Sequence, residues 1–219
     1  MKKIMKLSAL SLLAMFFSAQ SALALNIDFT DRGLFETVHN KTTYHTQVED
    51  IGFSLNGYAE NGNSAAKMGW FSRDGIGVMS NYERDEIEAD ERLELAFDQT
   101  VSLEAIYLTD FFIEGGYIET GSFTLFGAAY GAAGRTTHIA ADSPTRGTNG
   151  EFTYQFDQAQ QVDRIVFQSI GKEIRGEHHE FSLAGVDVSE TAPVPEPTSM
   201  ALLGLGLICA GALQRRLFR

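Results

Sequence analysis

Leu93-Glu94-Leu95-Ala96-Phe97, then Asp98-Gln99-Thr100, then Val101-Ser102-Leu103-Glu104-Ala105-Ile106-Tyr107-Leu108 is the stretch that decides the fold. Its first five residues put two leucines and a phenylalanine on one side of an extended chain and glutamate and alanine on the other. That period of two is the mark of a strand with one buried face. Asp98-Gln99-Thr100 is polar and reads as a turn, after which Val101 starts a second alternating run.

The same pattern recurs on both sides. It appears in Ile51-Gly52-Phe53-Ser54-Leu55-Asn56-Gly57-Tyr58, in Phe123-Thr124-Leu125-Phe126 and in Phe152-Thr153-Tyr154-Gln155-Phe156. Ile165-Val166-Phe167 and the run from Phe181 to Val188 complete the set. Glycine, asparagine and aspartate punctuate the runs at Asn61-Gly62-Asn63, Gly115-Gly116 and Asn149-Gly150. Helical periodicity is not sustained anywhere between residues 25 and 189. The nearest approach, 85–95, fits a strand better in its second half. Many short strands at regular spacing predict an all-β fold, a jelly-roll-like β-sandwich.

Composition narrows the chemistry. The one cysteine, Cys209, lies in an apolar stretch near the C-terminus. The predicted sandwich therefore has no disulfide, no thiolate nucleophile and no cysteine zinc site. All 29 acidic residues follow residue 24, whereas six of the 17 basic ones are Lys2, Lys3, Lys6, Arg215, Arg216 and Arg219. The part between those basic ends, with 29 acidic and 11 basic residues, carries about −18, more than the −12 of the whole chain. Such a charge repels nucleic acid, so no nucleic-acid partner is expected.

Residues 1–24 read as a secretory signal peptide. Three lysines precede an apolar core, and Ala22-Leu23-Ala24 supplies the small-x-small cleavage site. The Sec translocon and signal peptidase are the partners this implies. The sandwich then spans 25–189, with a linker at 190–193 and a three-part tail at 194–219. The tail has Pro195-Glu196-Pro197, an apolar helix over 198–213 and a basic end over 214–219 containing Arg215, Arg216 and Arg219. Each proline fixes φ and holds its predecessor extended, which keeps the triplet accessible. From Ser199 the helix has fifteen residues, roughly 22 Å at ~1.5 Å each, against a hydrocarbon core of ~30 Å. Gly204, Gly206 and Gly211 weaken it further. The arginines stop transfer and stay on the cytoplasmic side.

This tail resembles the PEP-CTERM sorting signal of Gram-negative bacteria that secrete exopolysaccharide. The resemblance implies an exosortase-type transpeptidase that cuts near Pro195-Glu196-Pro197. The protein would be held transiently in the inner membrane by its C-terminal helix. It would then be placed in the envelope, on the outer surface or in the extracellular matrix, with exopolysaccharide as a candidate partner.

Two carboxylate groups are candidate Ca²⁺ ligands. Asp74-Gly75-Ile76-Gly77-Val78, followed by the acidic run Asp85, Glu86, Glu88, Asp90 and Glu91, resembles a pattern common among PEP-CTERM exported domains. Carboxylate and carbonyl oxygens gathered there would suit Ca²⁺, which takes six to eight oxygens. The alternative is a turn at Asp74-Gly75 and a solvated acidic loop. Asp28 on the first strand and Asp187 on the last form the second group, with surface carboxylates as the alternative. Trp70 is a candidate for stacking on sugar, or else a core residue. Neighbours on a strand point to opposite faces, so His178 and His179 do not readily chelate one ion, and His39, His45, His138, His178 and His179 all read as surface histidines.

No G-x-S-x-G, H-E-x-x-H, P-loop or dinucleotide fingerprint is present. The glycine-rich stretch 127–134 lacks the lysine a phosphate loop needs. The expectation is a non-enzymatic exported protein whose sandwich binds polysaccharide or a surface component. A secreted glycan-active enzyme and a Ca²⁺-stabilised carbohydrate-binding module are the alternatives.

Overall fold

A computed structural model describes residues 24–59, 64–79, 86–88, 91–114, 117–144, 149–170 and 179–191. The first strands are β1 (Leu25–Asp28), β2 (Thr43–Val48), β3 (Ile51–Tyr58), β4 (Ala65–Ala66), β5 (Met68–Phe71) and β6 (Gly75–Val78). Next come β7 (Arg92–Thr109), β8 (Phe112–Glu114), β9 (Tyr117–Ile118), β10 (Thr120–Phe126), β11 (Arg135–Ala140) and β12 (Ser143–Pro144). The last two are β13 (Phe152–Ser169) and β14 (Ser182–Glu190). One short helix, α1 (Arg32–Phe35), follows β1, with Asp31 capping its first turn. The protein is an all-β sandwich.

The stretch 92–109 does not turn at Asp98-Gln99-Thr100. It is one eighteen-residue strand, β7, with those three residues exposed in its middle. Its partner β13 is equally long and unites two runs that read separately in the sequence. Their antiparallel register slips twice. Val162 faces Val101 while Arg164 faces Ala96, and Gln155 faces Ala105 while Gln160 faces Leu103. Extra residues thus sit on each strand in turn, at 97–100 on β7 and 156–159 on β13. Bulges of this kind bend a strand and sharpen its twist, so both strands round a corner from one layer into the other.

The first halves of β7 and the second half of β13 belong to one layer, extended by β3 and β2 on one side and by β10 and β11 on the other. The other halves belong to the second layer, which continues through β14 to β1, β6 and β5. A small sheet of β12, β8 and β9 stands apart. Between the layers lie Phe53, Leu55, Leu93, Leu95, Ile165 and Phe167 from one side, and Leu103, Ile106, Leu183, Val186 and Val188 from the other. The layers meet through aromatic pairs. Phe29, just after β1, lies 6.0 Å from Phe53, and Phe123 of β10 lies 4.9 Å from Tyr154 of β13. Edge-to-face pairs of this geometry add about 0.5–1.5 kcal/mol beyond area burial.

Asp74-Gly75 makes the turn into β6. Gly75 has φ +103°, and a Cβ there would lie 2.2 Å from the Leu183 carbonyl oxygen. Only glycine lets β6 approach β14 so closely.

The two layers do not end together. Beyond β13 the first layer continues through β10 and β11, whereas among the described residues the second layer stops at the first half of β13. The first layer therefore overhangs the edge of the second.

Candidate functional site

A cleft of about 320 Å³ lies beneath that overhang. Leu125, Arg135 and Thr137 line it from β10 and β11, and Tyr154, Gln155, Phe156, Asp157, Gln158 and Gln160 line it from β13. The bulge that turns the corner supplies the polar members, because residues 156–159 are released from the ladder with β7.

The aromatic floor is fixed. Tyr154 and Phe156 lie 4.9 Å apart, and Phe123 packs edge-on against both at 4.9 and 5.9 Å. Their rings are half-buried and keep one side toward the cleft. The amides are partly fixed as well. Tyr130, in the glycine-rich turn between β10 and β11, donates its hydroxyl to Gln160 Oε1 at 2.6 Å. Gln160 Nε2 donates to the Gln158 carbonyl, and Gln155 Nε2 donates to the Glu104 carbonyl at 2.9 Å. Gly127 permits this bridge, since a Cβ there would stand 2.5 Å from the Gln161 carbonyl oxygen.

Four polar side chains in the cleft remain uncommitted. Among the described residues, Arg135, Thr137, Asp157 and Gln158 make no side-chain hydrogen bond and no ion pair. Arg135 and Asp157 carry opposite charges in one cleft yet form no ion pair with each other. The cleft thus offers a cation, an anion, an amide and a hydroxyl above two aromatic rings.

The residues singled out in the sequence go elsewhere. Trp70 is a core residue, 8% exposed, and its Nε1 donates to the Phe29 carbonyl at 2.8 Å. Its ring therefore has no face to offer a sugar. Asp74 sits at one end of β6 and its carbonyl accepts from the Thr109 hydroxyl. Burial raises its carboxyl above the ordinary range. Glu86 is at the other end, where its carbonyl accepts from Val78 N–H. Four residues of strand at ~3.3 Å each set these two about 13 Å apart. Glu88 is fully buried rather than solvated, and its N–H donates to Glu91. Asp85 and Asp90 lie outside the described residues.

Asp28 and Asp187 do share a ladder. Asp28 faces Gly185 and Asn26 faces Asp187. Each carboxylate takes local donors: Thr30 N–H and hydroxyl for Asp28, and Asn26 Nδ2 and the Tyr107 hydroxyl for Asp187. The last bond, at 2.6 Å, pushes the Tyr107 phenol up to about 12, with burial adding to it. Among the described residues no group of three or more His, Cys, Asp and Glu is disposed to hold a metal.

His179 is not a surface residue. It is 9% exposed, packed at a tilt against Tyr117 with ring centroids 4.7 Å apart, and its Nδ1 accepts the Thr120 N–H at 2.9 Å. Burial lowers its pKa. His178 lies outside the described residues.

The cleft was missed because its rings occupy the apolar positions of an ordinary strand. The available signal was the amide run Gln158, Gln160 and Gln161 immediately after an aromatic triplet, which breaks the alternation without a glycine or proline.

The stretch expected to be a signal peptide, Pro195-Glu196-Pro197, the apolar stretch 198–213 and Arg215, Arg216 and Arg219 lie outside the described residues, apart from Ala24. Within those described, no helix is long and apolar enough to cross a membrane. A family model for the PEP-CTERM protein-sorting motif matches residues 193–216. The chain carries a PEP-CTERM sorting motif. The motif marks an exported, envelope-associated protein processed by an exosortase-type system. It covers 24 of 219 residues and is silent on the sandwich. No curated protein matches the chain. One solved structure, a family 32 carbohydrate-binding module from C. perfringens NanJ in complex with galactose, is similar at 11% identity. The match covers 75% of this chain and 92% of that one, with a TM-score of 0.31. At that TM-score the likeness says nothing of the site.

Proposed function

We propose that this PEP-CTERM protein is a non-catalytic binding protein of the cell envelope, and that its sandwich holds polysaccharide in the cleft under β11. The observation that carries this reading is the convergence of two fixed aromatic rings with four uncommitted polar groups. Aromatic faces stack on the C–H faces of sugar rings, and amide, hydroxyl and charged groups bond their hydroxyls. The volume falls at the low end of ligand sites.

Binding rather than turnover is favoured by the acid–base inventory. Glycoside hydrolysis canonically uses a pair of carboxyl groups across the scissile bond, and among the described residues Asp157 is the one carboxylate lining the cleft.

The test is affinity electrophoresis of the protein as matured in an exosortase-positive host, run through gels containing that host's exopolysaccharide. The expected result is retardation of the wild type, with no reducing ends released over hours. Mobility equal to that in a plain gel, or saturable release of reducing ends, overturns the reading.

A further inference from the structure

The arrangement of charge in the cleft assigns a ligand class: we infer that it takes a single uncharged sugar unit, an end or branch of a neutral glycan, held through adjacent hydroxyls. This rests on the reading of the cleft as a carbohydrate site and goes further in naming the sugar.

Arg135 presents only donors and Asp157, ionised, only acceptors. A sugar hydroxyl is both donor and acceptor. One hydroxyl, or two on neighbouring carbons, can therefore accept from Arg135 while donating to Asp157, which line the same cleft without pairing with each other. Thr137 and the Gln158 amide add donor and acceptor capacity of the same mixed kind.

A uronate or phosphorylated sugar fits less well. Its anion would satisfy Arg135 but meet Asp157 at the same time, within a chain of net charge −12. Like charges brought together in a partly desolvated cleft cost more than the single new pair returns. An amino sugar has the converse fault at Arg135.

Size limits how much of a glycan enters. At about 320 Å³, the cleft is at the bottom of the range for ligand pockets. A cleft of that size takes one sugar unit rather than a longer stretch of chain.

The experiment is isothermal titration of the full-length protein in mild detergent with galactose, glucose, mannose and their neutral disaccharides. Glucuronate, glucosamine and L-phenylalanine serve as anionic, cationic and zwitterionic controls. The variants are Asp157→Asn and Arg135→Gln, both at exposed positions, so folding is not at stake. At least one neutral sugar is expected to bind, and each variant to weaken it about tenfold, the loss of one charge-assisted hydrogen bond. Asp157→Asn is expected to raise glucuronate binding relative to the neutral sugar. If neutral sugar binds equally to wild type and both variants, the assignment fails. If only glucuronate binds, the assignment fails while the carbohydrate reading stands. Binding of L-phenylalanine alone, or of nothing in the panel when the host polysaccharide also fails to retard the protein, overturns both.

Discussion

Protonating His179 would set an N–H against the Thr120 N–H that its Nδ1 now accepts. The native ring is therefore neutral, and burial holds its pKa below the unfolded value. A group with a depressed native pKa of this kind contributes stability that is complete above the unfolded pKa, about 6.5, and lost as pH falls through it. Between pH 7.5 and 5 we expect the melting temperature to fall by about 2–4 °C, the equivalent of roughly 1 kcal/mol in a domain this size. His179→Gln, which keeps an acceptor but does not titrate, should flatten that slope. An unchanged slope in the variant would assign the effect to other groups. Asp74 works in the opposite sense. Its raised carboxyl pKa means that ionisation is the unfavourable state, so protonation relieves it, but only nearer the carboxylate range. At this scale the sequence is a poor guide. Asp74-Gly75 announces its turn because a left-handed glycine beside an aspartate has a local cause. Trp70 and His179 owe their burial to β1 and β10, distant in sequence, and no local pattern reports that.

Among the elements, the alternating runs located most long strands correctly, since period two is imposed by burial of one face and survives any topology. The join between runs did not come through. Asp98-Gln99-Thr100 has the composition of a turn, and whether three extra polar residues make a turn or a corner depends on the partner strand's own excess at 156–159. That excess lies some sixty residues away. The cleft is illegible for a related reason: Tyr154 and Phe156 occupy core positions by pattern, and only the early end of the second layer uncovers them. The glycine-rich turn 127–134, unsuited to phosphate, gains a mechanical role here by carrying Tyr130 to Gln160. Tyr130→Phe keeps the ring and removes the clamp. It should cost about 1 kcal/mol in thermal unfolding, the usual net worth of one hydrogen bond. It should also weaken neutral-sugar binding several-fold, since a loosened bulge must be reordered when ligand enters. A variant that melts lower but binds sugar as tightly as wild type would show that the clamp serves stability alone.

For the whole molecule, the tail and the sandwich divide the work. The sandwich has no cysteine to staple it, and its stability comes from one continuous core shared by both layers. It therefore folds without oxidative help wherever export delivers it. The tail decides where that is. We expect processing at Pro195-Glu196-Pro197, a few residues beyond β14, and expect Arg215, Arg216 and Arg219, at the other end of the apolar stretch, to resist transfer across the membrane. If the fifteen residues from Ser199 to Leu213 form a helix, it reaches roughly 22 Å, short of the ~30 Å hydrocarbon core. We propose that this stretch is a hold for the time an exosortase needs rather than a permanent anchor. In an exosortase-positive host, mass spectrometry of envelope and medium fractions should find peptides up to about residue 197 and none containing Arg215 or Arg216. In a strain lacking the exosortase, the same arginine peptides should appear in the inner-membrane fraction. Recovery of intact Arg215-Arg216 peptides from surface-exposed protein would make the tail an anchor after all.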